Sequence, residues 1–122
     1  MTHSKILVLV VEDEPLVRMG IVDYLEDVGF TVLEAGNADE AITVLMSNLD
    51  VRIMFTDVDM PGGMDGLRLA AAVRERWPPI KIIVTSGHRK VNVDDIPAQA
   101  EFFPKPYDPE AISHALTRLC AA

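Results

Sequence analysis

Five side chains that could bind an ion or a phosphate group each follow closely on a short apolar segment. They are Glu12, Asp13, Asp57, Thr85 and Lys105. If the fold brings them together, three carboxylates share one place and repel one another unless protons or a cation neutralise them. Mg²⁺ suits such a set better than Zn²⁺, because the set contains oxygen ligands and no histidine or cysteine.

The remaining groups of the set suit phosphate chemistry. An ammonium group at Lys105 and a hydroxyl at Thr85 can hold phosphate oxygens. One carboxylate is then available as a nucleophile, and Asp57 is the best candidate for an aspartyl-phosphate because it follows a central buried segment. Each of these residues alone is more easily explained as a cap or a loop residue. Their joint placement is what favours a site.

The elements that must position these residues can be predicted from hydrophobic patterning. Short apolar runs bounded by polar residues are typical of strands buried on both faces of a parallel sheet. The runs are Ile6–Val11, Val51–Phe55, Ile80–Val84 and Phe102–Phe103, with a weaker one at Thr31–Leu33.

Helical periods separate the runs. Pro15 and Gly29 suit the start and end of a first helix. Asn37 with Glu40 predicts a capping box that opens a second helix. A third helix stops before Pro78-Pro79, and the last begins at Asp108-Pro109. Strict alternation of strand and helix predicts an α/β fold, a doubly wound sheet with helices on both faces.

The segment 89–100 fits this alternation poorly, because Asp94-Asp95 and Pro97 interrupt its apolar positions. We expect only a short or distorted fourth helix there. In open α/β sheets, ligands bind beyond the carboxyl ends of the strands. The five candidate residues all lie at that edge, so the predicted topology brings them together.

Length and charge limit the possible functions. The 122 residues, of which 49% are apolar and 25% charged, predict one globular domain spanning 1–122 with a core of about 5–119. The net charge of −8 disfavours direct binding to nucleic acid or an anionic membrane. Residues 1–66 hold 13 acids against 3 bases, a net of −10, whereas residues 67–122 hold 6 acids against 8 bases, a net of +2. The single cysteine, Cys120, and the lack of a signal peptide or membrane segment predict a cytoplasmic location.

The motifs at the strand ends give a more specific identification. The chain resembles the receiver domain of bacterial response regulators, the CheY-like domain of two-component signalling, from Lys5 to about Leu119. The motifs that carry the resemblance are Val-Val-Glu12-Asp13-Glu-Pro, Phe-Thr-Asp57-Val-Asp-Met-Pro, Met-Asp-Gly66-Leu, Val-Thr85-Ser-Gly and Lys105-Pro106. The resemblance implies a five-stranded parallel sheet in the flavodoxin-like order 2-1-3-4-5.

The same resemblance implies a role for each candidate residue. Asp57 would accept a phosphoryl group from a phosphohistidine on a sensor histidine kinase or histidine phosphotransfer protein. Mg²⁺ would be held by Glu12, Asp13, Asp57 and the backbone carbonyl of Asp59. Thr85 would be the switch hydroxyl and Phe102 the switch aromatic. Lys105 would pair with the phosphate, and the peptide bond between Lys105 and Pro106 would be cis. The domain would not be an enzyme, because it would catalyse only its own phosphorylation and dephosphorylation. It would act through protein partners or relay phosphate.

Some features depart from the usual family pattern and leave alternatives open. The side chain of Asp59 adds a carboxylate beside the pocket, and Gly62-Gly63 lengthens a loop. Ser86 and Gly87, which follow Thr85, are expected to leave the entrance of the pocket small and open. One alternative is a degenerate receiver that serves only as a protein-interaction module. Another is an aspartate-nucleophile phosphatase of the haloacid dehalogenase type, because Asp57-Val-Asp59 contains its Asp-x-Asp pattern.

Overall fold

A computed structural model of the chain describes residues 6–60, 64–87, 94, 96, 97 and 99–121. Within that part, five parallel strands form one sheet in the order β2-β1-β3-β4-β5. The strands are β1 (Leu7–Val11), β2 (Thr31–Ala35), β3 (Ile53–Asp57), β4 (Lys81–Ser86) and β5 (Glu101–Pro104). The predicted fold class and strand order are therefore confirmed.

Four helices connect or follow the strands in the described part of the chain. They are α1 (Pro15–Asp27), α2 (Ala38–Ser47), α3 (Gly66–Arg76) and α4 (Pro109–Ala121). Among these residues, no helix combines the length and apolar character needed to cross a bilayer. The predicted short or distorted helix over 89–100 falls mainly on residues outside those described, as does the loop with Gly62-Gly63.

Two apolar clusters, one on each face of the sheet, hold the layers together. Alternate residues of a strand point to opposite faces, so Leu9 of β1 packs with Met54 of β3 under α2 and α3. Val8 and Phe55, from the same two strands, pack with α1 and α4 on the other face. Because β1 and β3 are covered on both sides, their sequences are almost continuously apolar.

Helix ends largely follow the capping signals of the sequence. Pro15 is the first residue of α1, and Gly29, two residues beyond its end, takes a φ of 106° that favours glycine. The Asn37 side chain accepts a hydrogen bond from the Glu40 amide at 2.9 Å, which starts α2. The predicted capping box differs in one bond, because the Glu40 carboxylate accepts from the amide of Gly36 at 2.7 Å.

Candidate functional site

The ends of β1 and β3 bring three carboxylates together. These strands are neighbours, with Val11 paired to Thr56, so Glu12 lies beside the end of β3 where Asp57 stands. One carboxylate oxygen from each of Glu12, Asp13 and Asp57 lies within 4.8 Å of the others. Glu12 is 4% exposed and Asp57 only 2%. The fold therefore concentrates negative charge in a place from which water is largely excluded.

Among the described residues, one cation faces this cluster. Lys105, just after β5, places its Nζ 3.1 Å from Glu12 Oε1 and 3.2 Å from Asp57 Oδ2. Its peptide bond to Pro106 is cis, as the resemblance implied. One ammonium balances only part of the charge of three carboxylates, so the cluster remains an attractive place for a further cation.

Burial and the neighbouring charges alter how these groups titrate. Burial, with a smaller contribution from the charge of Asp57, raises the pKa of Glu12 to about 7, although hydrogen bonds from the Glu14 amide and Lys105 oppose the shift. Burial likewise raises the pKa of Asp57, against the Asp59 amide and Lys105. For Lys105, burial opposes the charged form, but the carboxylates of Asp57 and Glu12 outweigh it and raise its pKa. Lys105 is therefore charged at neutral pH, whereas the acids share a site that penalises full ionisation.

A hydroxyl lies at the end of the neighbouring strand. Thr85 of β4 is in register with Asp57 of β3. Its carbonyl accepts a hydrogen bond from the Val58 amide at 2.8 Å. Its Oγ1 is buried and has no hydrogen-bond partner in the described part of the chain. A buried hydroxyl without a partner costs free energy, which an incoming acceptor at this position would recover.

The side chain of Asp59 makes a contact that the sequence analysis did not foresee. Its Oδ2 accepts a hydrogen bond from Ser86 Oγ at 2.7 Å, and its amide donates to Asp57 Oδ1 at 3.2 Å. The extra carboxylate is thus tied to the end of β4. The sequence places Asp59 and Ser86 at the ends of two neighbouring strands, but spacing along the chain does not show that their side chains bond.

Two aromatic residues flank Lys105 in sequence. Phe102 lies opposite Val84, the residue before Thr85, and is partly buried in the cluster under α2 and α3. Tyr107 packs edge-on against Phe55, with ring centroids 5.4 Å apart and an interplanar angle of 89°. Burial, together with the charge of Glu12, raises the pKa of the Tyr107 phenol to about 12. Tyr107, which the sequence analysis did not single out, therefore forms a neutral wall beside the acids.

The acidic cluster fits a hard divalent cation. Its three carboxylates supply the oxygen ligands that Mg²⁺ prefers. Asp13 Oδ1 is buried and accepts no hydrogen bond from the described residues, so it is free to bind a cation. The raised pKa of Glu12 and Asp57 also reflects charge that a bound cation would stabilise.

An open cavity of about 470 Å³ adjoins the cluster on the side of α1. Its wall is formed by Glu14, Val17, Gly87, Lys105, Pro106 and Tyr107. Lys105 belongs both to this wall and to the ion pairs with Glu12 and Asp57. A molecule in the cavity would therefore meet the carboxylates through Lys105.

A family model described as the response regulator receiver domain matches residues 8–117. Among curated proteins, the chain is 43% identical over 105 residues to the sensor kinase CckA of Brucella abortus (strain 2308), a match that covers 82% of the chain and 11% of that kinase. It is 31% identical over 121 residues to a putative NtrX-like response regulator of Rickettsia conorii, which covers 96% of the chain and 25% of the relative. The chain thus spans a quarter or less of the length of these two proteins.

Solved structures agree with the sequence matches. The receiver domain of NtrX from Brucella abortus superposes with a TM-score of 0.85 at 27% identity, covering 94% of the chain and 98% of that structure. A response regulator receiver protein from Sinorhizobium medicae superposes with a TM-score of 0.88, covering 96% and 95%. At 24% identity, the second likeness bears on the fold alone.

Proposed function

The chain belongs to the response regulator receiver domain family, and on that premise we propose that Asp57 accepts a phosphoryl group from a phosphohistidine of a partner protein. The observation that carries the proposal is the position of the Asp57 carboxylate. It stands at the end of β3, 3.2 Å from the Lys105 ammonium and in register with Thr85, whose hydroxyl has no partner among the described residues. A nucleophile, a cation and a hydrogen-bond donor, the side chains of Asp57, Lys105 and Thr85, therefore lie together at the ends of neighbouring strands.

The transfer step needs little from the protein besides position and charge. A carboxylate oxygen of Asp57 forms the new O–P bond while the P–N bond to the histidine breaks, and the electron pair of that bond stays on the imidazole nitrogen. No general base is needed, because an ionised carboxylate has no proton to lose. The charge of Lys105 favours the ionised form of Asp57 against the effect of burial, and it would neutralise phosphoryl oxygens as they approach.

Mg²⁺ is part of this proposal. Glu12, Asp13, Asp57 and the backbone carbonyl of Asp59 would hold the ion. Its contribution would be to neutralise the charge of the phosphoryl oxygens beside the acids. The support is the group of three carboxylates, in which Asp13 Oδ1 is buried and accepts no hydrogen bond from the described residues.

The response to phosphorylation would begin at Thr85. A phosphoryl group on Asp57 adds about −1.5 to −2 charges and strong acceptor oxygens. The Thr85 hydroxyl gains an acceptor by moving toward them, and the end of β4 moves with it. Phe102, beside Val84 at the edge of the sheet, would report this movement as the switch aromatic.

The partner would be a sensor histidine kinase or a histidine phosphotransfer protein. The outer face of α1 next to the cavity exposes Leu16 by 81% and Met19 by 55%. Large exposed apolar side chains at the rim of a charged site are typical of protein-binding surfaces. A partner helix could lie there with its phosphohistidine directed past Glu14 toward Lys105.

We further propose that the domain is not an enzyme acting on other molecules and that it acts in the cytoplasm. The domain would turn over no substrate other than its own phosphoryl group, and would signal through a protein partner or relay the phosphate. It would act in the cytoplasm, where the free thiol of Cys120 stays reduced.

Intact mass spectrometry after incubation with acetyl phosphate and Mg²⁺ tests the proposal. The expected result is one added phosphoryl group on the wild type and on Asp50→Asn, a matched control at an exposed acid, but none on Asp57→Asn. A folded wild-type chain that stays unmodified would favour the protein-interaction module. Release of inorganic phosphate over many turnovers from a phosphate monoester would favour the phosphatase.

A further inference from the structure

The guanidinium of Arg18 joins α1 to the loop that carries two of the acids. Arg18 Nη1 donates a hydrogen bond to the backbone carbonyl of Glu12 at 2.7 Å, and Nε lies 3.2 Å from Glu34 Oε1 on β2. The Arg18 side chain is 23% exposed, so these bonds are partly shielded from water. One planar side chain thus links three elements.

The carbonyl of Glu12 stands where the sheet can no longer bind it. β1 ends at Val11, and the Glu12 amide makes the last bond toward β2, donating to Ala35 at 3.0 Å. The carbonyl of the same residue accepts from Arg18. A buried carbonyl needs a hydrogen-bond donor, and beyond the end of β1 the Arg18 guanidinium supplies that donor.

Arg18 also closes the other end of the loop. Its backbone amide donates to the carbonyl of Glu14 at 2.9 Å. The three-residue loop with Asp13 at its centre is therefore bonded to Arg18 at both ends, once by the side chain and once by the main chain. Gly36 leaves room for this arrangement, because a Cβ there would lie 3.3 Å from Arg18 Nη1.

We propose that Arg18 is a positioning residue that fixes the Glu12-Asp13 loop for binding of a divalent cation and for phosphoryl transfer. The proposal rests on the proposed function, since it assigns Arg18 a role in the same site. Without Arg18, mutual repulsion of the acids would open the loop, because nothing else bonds the Glu12 carbonyl in the described part of the chain. A loop that must be ordered on binding lowers the affinity for the cation.

Arg18→Met and Arg52→Met form a matched pair for the test. Arg52 also donates to a backbone carbonyl, that of Cys120 at 3.0 Å, but lies just before β3, at the opposite edge of the sheet from the acids. The readouts are Mg²⁺ affinity by calorimetry and hydrogen exchange of the Glu12 and Glu14 amides without divalent ions. We expect Arg18→Met to weaken Mg²⁺ binding about 10-fold and to speed exchange of both amides, and Arg52→Met to change neither.

Two further variants separate geometry from charge. Arg18→Lys keeps the charge but cannot span both acceptors, so it should restore only part of the affinity. Full restoration by lysine, or wild-type affinity and exchange in a folded Arg18→Met, would overturn the positioning role. Glu34→Gln weakens the anchor of Arg18 and should shift both readouts less, in the same direction. Neither readout requires phosphorylation, so failure of Asp57 to accept phosphate is a separate result.

Discussion

At the scale of single residues, opposing electrostatic effects act on the pKa of Glu12. Its carboxylate accepts hydrogen bonds from the Glu14 amide at 3.1 Å and from Lys105 at 3.1 Å, both of which favour its charged form. Burial and the adjacent Asp57 disfavour that form and dominate, so the pKa of Glu12 rises from 4.5 to about 7. Without a divalent cation, Glu12 therefore keeps its proton at pH values where an exposed glutamate has lost it.

This shift predicts how stability depends on pH. Between pH 4.5 and 7 the folded chain binds the Glu12 proton and the unfolded chain does not, so the free energy of unfolding falls as pH rises. Glu12→Gln removes this contribution. In EDTA, the free energy of unfolding of the variant relative to that of the wild type should rise by about 2 kcal/mol between pH 5 and pH 7.5. Urea unfolding at several pH values measures the difference, and a pH-independent difference would contradict the raised pKa.

The structure gives Gly87 a different role from the one expected from the sequence. The expectation was that its small size leaves the pocket open to water. In the structure, a Cβ at position 87 would lie 3.0 Å from Lys105 Cβ and 3.3 Å from Lys105 Cδ. The space beside Gly87 is therefore occupied by the stem of Lys105, which passes over it to reach Asp57.

We accordingly expect Gly87→Ala to act through Lys105. Displacing the ammonium by a few tenths of an ångström should slow phosphorylation by acetyl phosphate about 10-fold. In a Lys105→Met background the same substitution should have no further effect, which a double-mutant cycle measures. If Gly87→Ala changed only the lifetime of the phosphorylated form, the original idea of an open entrance would be the better explanation.

At the scale of elements, the junction between β3 and α3 determines where Asp57 stands. α3 starts at Gly66, whose amide donates to the carbonyl of Val58 at 3.0 Å. Asp65 caps the helix by accepting from the Arg68 amide at 2.9 Å. Gly66 packs so closely on the main chain of Asp57 and Val58 that a Cβ would overlap the Asp57 carbonyl.

Gly66→Ala should therefore be destabilising, because a backbone carbonyl cannot move aside as a side chain can. We expect a loss of about 1–3 kcal/mol in the free energy of unfolding. Gly20→Ala is the matched control: Gly20 lies within α1, and a Cβ there meets nothing within 4 Å. Alanine in a helix should stabilise by about 0.5–1 kcal/mol, so urea unfolding should move the two variants in opposite directions. Equal effects would show that the contact at Gly66 is relieved by movement of α3.

The elements that the sequence predicted well are those whose signals are local. Apolar runs located the strands, and Pro15, Asn37 and Asp108 marked helix starts because a cap acts within one turn. Bonds between distant segments were missed. The pair of Ser86 and Asp59 and the bond from Arg18 to the Glu12 carbonyl depend on how strands and helices pack, and spacing along the chain does not reveal them.

At the scale of the whole molecule, the fold turns an uneven charge distribution into a site. Residues 1–66 carry a net −10, and Glu12, Asp13 and Asp57 all belong to this part. Lys105 comes from the other part, residues 67–122, with a net of +2. The parallel sheet places all four at one edge, so the cluster exists only in the folded chain. Its electrostatic cost is therefore a cost of folding.

That cost predicts a reversal of stability between two conditions. Asp57→Asn removes a buried charge that desolvation penalises, while Lys105 keeps its bond to Glu12 at 3.1 Å. In EDTA the variant should be more stable than the wild type by about 1 kcal/mol, a rise of about 3–5 °C in Tm for a domain of this size. With Mg²⁺ at 100 times its Kd, the wild type gains about 2.7 kcal/mol by binding. The variant lacks one of the proposed carboxylate ligands and should gain less, so the order should reverse. Thermal unfolding in both buffers measures this, and a variant less stable in EDTA would mean that the ion pair of Asp57 with Lys105 outweighs the cost of burying the carboxylate.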